Sequence, residues 1–518
     1  MSKRTSFIVG IVVVALLLIF FLARDTGTPD GQEPTPDGDT GLPEEEEAQP
    51  QEYDQFDGSI YLNDEELDLE NYPIVDKGLV YLPALELSEY NDTFELTFEQ
   101  GDNLLLMITE DEELENPQPG ENDDLKLYLN NTNLTPANII EYQNDFYIAS
   151  RDIVPLMGWS IYENIFANSV YITDQNIPPG DGEYVTVRPR DGRGWQPQLR
   201  LDIADGEITN VEYNEYDEDN NSKLDNPEYI ENWKNQNPDV DPLALIENME
   251  NQLLKRQNPN DIDVATGATG SYSNFVKLSN LALGKARSQP DYQLIDGNYE
   301  VYGNPSERGW TPQLLIEVID GDIRSFYYDE IDEDGNSKRE NQEYLESWTD
   351  AYPEVDPISI IEEREEDVIN TQDPNLVDAT TGATSWGLNL KKLSIGSFIQ
   401  ADQSDIANYD QIYVFMGEMN ARGDRPQLLL TTSGEELTSV DFSDYRNGVN
   451  KKFDEPYLSN WQEQYPDVNP PELVQQMEDT FQQTQQPDDL DAISGATSWR
   501  DNFKSLASRA LETLNRDN

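Results

Sequence analysis

The 518-residue chain has no cysteine, no histidine and few basic residues. Without cysteine it forms no disulfides, iron–sulfur clusters or thiol nucleophiles, and without histidine it lacks the commonest general base and haem ligand. Lys and Arg number 33 against 104 Asp and Glu, which gives a formal net charge of −71. Such a surface repels nucleic acid, so we predict no nucleic-acid partner. Conventional catalysis has few groups to use.

The rest of the composition is that of a folded protein. Hydrophobic residues make up 36% of the chain, which suffices for several cores. We interpret the acidic charge as a halophilic adaptation, because at molar salt the Debye length is about 3 Å and self-repulsion is screened.

The N-terminal end differs from the rest of the chain. An uncharged apolar run over 7–23 follows Lys3 and Arg4, which predicts a single transmembrane anchor with its basic end in the cytoplasm. No small-residue cleavage site follows, so an uncleaved anchor is favoured over a cleaved signal peptide. The acidic, Pro- and Gly-rich stretch over 24–56 predicts a disordered linker. Everything beyond the anchor is expected to lie outside the cell.

Residues 57–174 contain two related phrases, at 78–83 and at 145–149. On these phrases the region resembles the stalk module named after the N-terminal domain of copper amine oxidases, and we expect a small α+β domain. No copper is expected in it, because the chain has no histidine to bind the metal.

Three long repeats fill the remainder of the chain. Each opens with Arg-Gly, two variable residues and Pro-Gln-Leu, and continues through a lysine, a tryptophan and a proline-bounded turn. The lysines are Lys223, Lys338 and Lys451, and the tryptophans are Trp233, Trp348 and Trp461. The period of about 115 residues is the size of an independent domain. We therefore predict three domains in series, at 183–286, 297–400 and 411–515.

Hydrophobic patterns predict an α+β fold for each repeat. Alternating runs such as 198–203 and 427–430 predict strands closed by Asp-Gly or Ser-Gly turns. Apolar residues at helical spacing predict one helix over 242–255 and a second one that contains Phe275 and Leu278.

A short phrase recurs in the loop that opens this second helix. It reads Thr-Gly-Ala-Thr twice and Ser-Gly-Ala-Thr once, and an aspartate stands six residues before the last threonine. In every copy the last threonine follows the tryptophan by 36 residues and the lysine by 46. The candidate site residues are Asp263, Thr266, Gly267, Ala268 and Thr269; Asp378, Thr381, Gly382, Ala383 and Thr384; and Asp491, Ser494, Gly495, Ala496 and Thr497.

The phrase resembles the attachment motif of the FMN-binding domain family, which includes the peripheral flavin subunits of sodium-pumping NADH:quinone reductase and of the Rnf complex. In that family a flavin transferase joins FMN to the last threonine through a phosphoester bond. The resemblance implies covalent FMN on Thr269, Thr384 and Thr497. It also implies an electron carrier, supplied by a membrane oxidoreductase or quinol, that reduces an extracellular acceptor. The family's serine or threonine two residues later is present at Ser271 but is replaced by Trp386 and Trp499.

The residues of the phrase suit this chemistry. Glycine permits close approach to the threonine, alanine leaves room, and the start of a helix attracts phosphate. The aspartates are candidates to cap the loop or to orient the hydroxyl. The alternative, a simple helix N-cap, is less favoured for three copies at one spacing.

Other recurring side chains are weaker candidates. Arg193, Arg308 and Arg422, with the three lysines, are predicted to contact either phosphate or neighbouring carboxylates. Trp233, Trp348 and Trp461 are predicted to be core residues, whereas Trp386 and Trp499 are expected to contact a flavin ring.

A second hypothesis is a calcium-stiffened surface stalk without flavin. Asp217, Asp219, Asn221 and Glu228 match spacings of a calcium loop, as do Asp332, Asp334, Asn336 and Glu343. The loop glycine is missing from both matches, and Tyr445, Asn447 and Val449 break the pattern in the third repeat. We therefore predict no metal site.

Overall fold

The computed structural model describes residues 53–516, apart from 77–78, 91–93, 100–103, 110–125, 130–131, 134–138, 143–144, 175–176, 237–240, 263–268, 288–291, 352–355, 378–383, 467 and 491–496. The predicted anchor over 7–23 and most of the predicted linker over 24–56 lie outside the described residues. Within those residues, no helix combines the length and apolar character needed to cross a bilayer.

Short strands and two short helices form the region 53–174. The strands are β1 (Asp54–Gln55), β2 (Ser59–Leu62), β3 (Glu65–Glu66), β4 (Ile74–Asp76), β5 (Leu79–Pro83), β6 (Phe94–Glu99), β7 (Leu104–Thr109), β8 (Lys126–Leu129), β9 (Thr132–Asn133), β10 (Ile139–Tyr142), β11 (Asp145–Ala149), β12 (Ser160–Asn164) and β13 (Ser169–Thr173). The helices are α1 (Ala84–Ser88) and α2 (Ser150–Leu156). The strands form sheets in the orders β1-β4-β5-β11-β10, β12-β13-β2-β3 and β6-β7-β8-β9.

The two related phrases of this region form the same local structure. Each is a strand that leads directly into a short helix, β5 into α1 and β11 into α2. The two strands pair antiparallel, with Leu82 opposite Ile148, and both side chains are fully buried. The duplicated sequence pattern therefore builds the centre of one core.

Each repeat has three long antiparallel strands followed by three helices, and the third repeat adds the two-residue strand β23. The strands are β14 (Gly182–Val187), β15 (Gln196–Ala204), β16 (Glu207–Tyr216), β17 (Gly297–Tyr302), β18 (Thr311–Ile319), β19 (Asp322–Ile331), β20 (Gln411–Met416), β21 (Asp424–Ser433), β22 (Glu436–Arg446) and β23 (Val449–Asn450). The helices are α3 (Pro227–Gln236), α4 (Pro242–Arg256), α5 (Thr269–Arg287), α6 (Gln342–Ala351), α7 (Pro357–Thr371), α8 (Thr384–Gln403), α9 (Glu455–Gln464), α10 (Pro470–Thr484) and α11 (Thr497–Arg516). The predicted α+β class is confirmed.

The second and third repeats share one seven-stranded sheet, in the order β19-β18-β17-β20-β21-β22-β23. Strands β17 and β20 join the two repeats by parallel pairing, with Val301 opposite Val414. Helices α7 and α8 cover one face, where Val301 and Leu314 are buried. Helices α10 and α11 cover the other face, over Leu428. The two repeats therefore present their helices to opposite sides of a single sheet.

The first repeat has its own three-stranded sheet, β14-β15-β16. Its helix α5 packs against β12 of the N-terminal region. A Cβ atom added at Gly284 would lie 2.0 Å from the carbonyl oxygen of Ile161, so only glycine allows this helix to lie so close to the strand.

Local residue chemistry accounts for the ends of these elements. Asp205 and Gly206 both have positive φ, as do Asp320 and Gly321, which is the two-residue hairpin geometry that Asp-Gly favours. Pro242 opens α4 at the first helical position, where its missing N–H costs no hydrogen bond.

The N-cap residues of α4 and α10 differ in whether their side chains accept a hydrogen bond, so substituting each of them gives a matched comparison. The Asp241 side chain accepts a hydrogen bond from the Leu243 N–H, whereas Asn469, at the same position of α10, makes no such bond. We expect Asp241→Ala to lower the free energy of unfolding by about 1 kcal/mol and Asn469→Ala to have a much smaller effect. Urea denaturation measures both, and equal losses would contradict the assignment of the cap.

Candidate functional site

The three candidate attachment threonines occupy equivalent positions. Thr269, Thr384 and Thr497 are the first residues of α5, α8 and α11. Thr497 is exposed. The first N–H groups of a helix lack partners within it, and they give this end a partial positive charge. Each threonine therefore lies where a helix favours a phosphate group.

The remainder of each phrase lies outside the described residues. This applies to Asp263, Thr266, Gly267 and Ala268 of the first repeat; to Asp378, Thr381, Gly382 and Ala383 of the second; and to Asp491, Ser494, Gly495 and Ala496 of the third. Their roles remain predictions.

A buried lysine–carboxylate pair lies close to the start of each long helix. Lys223 pairs with Glu215 and Lys338 with Glu330. Lys451 Nζ lies 2.7 Å from Asp444 Oδ2. Of the two predicted roles for these lysines, the structure shows the contact with carboxylates.

The partner carboxylates were not predicted from the sequence. They lie on the third long strand of each repeat, eight residues before the lysine in the first two repeats and seven before it in the third. An Asp or Glu at a nearly constant spacing before the lysine is a signal in the sequence that could have revealed them. In a chain with so many acids, however, such an offset stands out only after the lysine itself has been identified.

Aromatic rings surround each lysine. Lys223 Nζ lies 5.0 Å from the centre of the Tyr229 ring and 5.4 Å from that of Trp195. Lys451 Nζ lies 4.8 Å from the Tyr457 ring. The rings shield the ion pair from water and contribute cation–π attraction, so each pair is held rigidly.

The residue two positions after each threonine is serine in the first repeat and tryptophan in the other two. In the first repeat the Ser271 hydroxyl donates to Glu215 Oε1 at 3.1 Å, beside a cavity of about 10 Å³. In the other repeats the rings of Trp386 and Trp499 lie above the lysine, 5.5 and 5.7 Å from Nζ. These indoles cover the ion pair, which serine leaves next to a water-sized space.

The structure therefore places Trp386 and Trp499 in the core. They are only 3% and 2% exposed, and each packs against a tyrosine and a tryptophan of the preceding helices. The expectation that these two rings present a face to a flavin is not supported. Trp233 and Trp461 are half-buried and pack against their cores, as predicted.

The repeated arginines occupy exposed turns. Arg193, Arg308 and Arg422 all lie on the surface. Burial raises the pKa of Tyr229 to about 12, and the positive charge of Arg193 opposes the shift. Arg193 therefore lies close enough to influence the ring that covers Lys223.

A second carboxylate recurs in each repeat. Glu250, Glu365 and Glu478 each accept a hydrogen bond from a backbone N–H of the third long strand of their repeat. Burial raises the pKa of Glu365 to about 7, against the opposing effects of the Tyr328 N–H and the Arg339 guanidinium.

This shift predicts a pH dependence. The folded protein retains a proton on Glu365 that the unfolded chain releases above its ordinary pKa of 4.5. The resulting stability is complete below pH 4.5 and is lost as the pH rises through about 7. When the pH is lowered from about 8 to about 5, the free energy of unfolding of the wild type should rise by roughly 2 kcal/mol more than that of Glu365→Gln. Urea denaturation at each pH measures this, and the exposed neighbour variant Glu366→Gln should behave as wild type.

The calcium-loop residues stabilise turns. Asp217 Oδ1 accepts the N–H groups of Asp219 and Asn221, and these bonds hold the pKa of Asp217 below its ordinary value. Asp332 bonds in the same way to Asp334 and Asn336. Across the part of the chain that the structure describes, no three acidic side chains are arranged to bind a metal.

No protein-family model matches the sequence, and no curated protein matches it. A crystal structure of a Clostridium perfringens protein is 32% identical over 21% of this chain and 90% of that one, with a TM-score of 0.20. A solution NMR structure of a Clostridium thermocellum protein is 20% identical over 21% of this chain and 95% of that one, with a TM-score of 0.15. These TM-scores are too low to support a conclusion about function.

Proposed function

We propose that the chain is a membrane-anchored, extracytoplasmic electron-transfer protein that carries covalent FMN on Thr269, Thr384 and Thr497. A flavin transferase would transfer the FMN part of FAD to each threonine hydroxyl, with AMP as the leaving group. A membrane oxidoreductase or quinol would supply electrons, and an extracellular acceptor or reductase would receive them.

The observation that carries this proposal is the position of the three threonines. Each is the first residue of a long helix, at the end where partial positive charge favours a phosphate. The exposure of Thr497 leaves its hydroxyl accessible to a modifying enzyme. A phrase that served only as a helix cap would not also require a constant distance from the buried lysine.

The surroundings of the third threonine fit a polar aromatic group. The indole N–H of Trp461 is buried and has no partner among the described residues, although its ring lies only 5.6 Å from that of Trp499. A buried donor without a partner is costly, so an acceptor atom on a bound group would stabilise it.

FMN, when attached, supplies the redox chemistry. Residues of this chain would hold it. The threonine oxygen would retain the group by a covalent bond, so that it is not lost by dilution outside the cell. The helix start would offset the phosphate charge, and the lysine–aromatic cluster packs against the first turn of the helix that bears the threonine.

The proposal is tested by expressing the chain with a flavin transferase. Intact mass should rise by one FMN unit per modified threonine, and flavin fluorescence should survive denaturation. Each threonine-to-alanine change should remove one unit, and the triple variant should be colourless. A fully unmodified wild type would instead favour the stalk hypothesis. Ser385→Ala, which alters the hydroxyl beside Thr384, should leave the mass gain intact.

A further inference from the structure

A cavity lies between the sheet of the first repeat and the second repeat. Its volume is about 600 Å³, and its lining is largely polar. Gln198, Asn214 and Glu250 line it from the first repeat, and Asn370 lines it from the end of α7. This volume is typical of a site for a small molecule.

The carboxylate of Glu250 has two counterparts that are paired within the protein. In the second repeat, Glu365 Oε1 lies 2.7 Å from Arg339 Nη1. In the third repeat, Glu478 Oε1 lies 3.4 Å from Lys452 Nζ. Each cation follows directly after the lysine of its repeat, so the same position supplies positive charge to the same carboxylate twice.

The first repeat has the carboxylate without this cation. Leu224 occupies the position of Arg339 and Lys452, and it packs against the apolar core instead. Glu250 keeps its bond from the Tyr213 N–H, at 2.8 Å. Among the described residues, no basic side chain pairs with Glu250. A half-buried carboxylate in this position would be stabilised by a cation from outside.

We propose that the cavity binds a small organic cation whose guanidinium or primary ammonium group pairs with Glu250. The group takes the place that Arg339 and Lys452 occupy in the other repeats. The amide side chains of Gln198 and Asn370 also line the cavity and offer both hydrogen-bond donors and acceptors. The lining includes one cation, Arg200, and its guanidinium is paired with Glu183 at 2.6 Å. An organic cation fits better than a metal ion, because no three acidic side chains of the described residues converge to bind a metal.

The probe for this proposal is agmatine, which carries both a guanidinium and an ammonium group. Calorimetric titration of the full-length protein should show saturable binding of one molecule per chain. Glu250→Gln should weaken the affinity roughly ten- to hundredfold, because a charge-assisted hydrogen bond is lost. Leu224→Arg should abolish binding, because its guanidinium takes the place that Arg339 has in the second repeat. Leu224→Met should bind as wild type.

A charge-matched control distinguishes specific binding at Glu250 from non-specific attraction of the cation to an acidic chain. Glu435→Gln removes one negative charge at an exposed position on the third repeat, and it should leave the affinity within about twofold. Circular dichroism should show that all four variants are folded. The proposal is overturned if wild type shows no saturable binding, or if Glu250→Gln and Glu435→Gln bind alike.

Discussion

Replacement of Arg364 by alanine is expected to lower the free energy of unfolding by about 3–5 kcal/mol, because it leaves a buried negative charge without its cation. Arg364 is 2% exposed, and Arg364 Nη1 lies 2.7 Å from Asp367 Oδ2. Asp367 is fully buried and also accepts a hydrogen bond from Gln196 of the first repeat, at 2.6 Å. Urea denaturation of the full chain measures the loss.

Two controls separate this effect from a general loss of charge. Arg324→Ala removes an ion pair with Asp322 in which both side chains are about half exposed, and it should cost about 0.5 kcal/mol. The double variant Arg364→Met, Asp367→Leu should recover most of the stability, because neither charge is then buried alone. If Arg364→Ala cost no more than Arg324→Ala, the buried Arg364–Asp367 pair would not contribute to stability.

The sequence predicted the parts of the fold that local chemistry determines. The helix predicted over 242–255 is α4, and the run 198–203 lies within β15. In both, the periodic apolar residues are bounded by a residue that starts or ends the element. Proline starts the helix, and Asp-Gly ends the strand. Such information is contained within about ten neighbouring residues.

The shared sheet could not be predicted in this way. It depends on parallel pairing between β17 and β20, two strands separated by the whole of the second repeat. The sequence pattern of either strand would be the same if that strand formed the edge of an isolated sheet. The burial of α8 against strands of both repeats left only a weak sign in the sequence. Gln400 and Ser397 are fully buried, although they are polar residues that no amphipathic pattern assigns to a core.

The candidate site was predictable where residue identity recurs. The spacing of lysine and threonine identified Lys223 and Thr269 before any contact was known, and the helix does begin at Thr269. The burial of Trp386 was not predictable, because it depends on Tyr344 and Lys338 from two other elements. Proximity along the chain placed this indole near the threonine, whereas tertiary packing determined which way it faces.

Replacement of Lys451 by methionine is expected to destabilise the third repeat more than Lys223→Met destabilises the first. Lys451 Nζ lies 2.7 Å from Asp444 and 3.3 Å from Asp424, and all three side chains are buried. Its loss leaves Asp444 without a cation beside the buried carboxylate of Asp424, which keeps only the partly exposed Arg446 at 2.7 Å, so the expected cost is about 3–5 kcal/mol. In the first repeat only Glu215 loses its cation, and the Ser271 and Tyr213 hydroxyls still donate to it.

Acid should partly rescue the Lys451→Met variant, because protonation of either aspartate removes the repulsion. Stability relative to wild type should therefore rise as the pH falls from about 7 to about 4. The triple variant Lys451→Met, Asp424→Asn, Asp444→Asn should show no such rescue. Differential scanning calorimetry across this range measures both. A Lys451→Met deficit that stays constant with pH would mean that lost packing against Tyr457, and not repulsion between the buried carboxylates, causes the destabilisation.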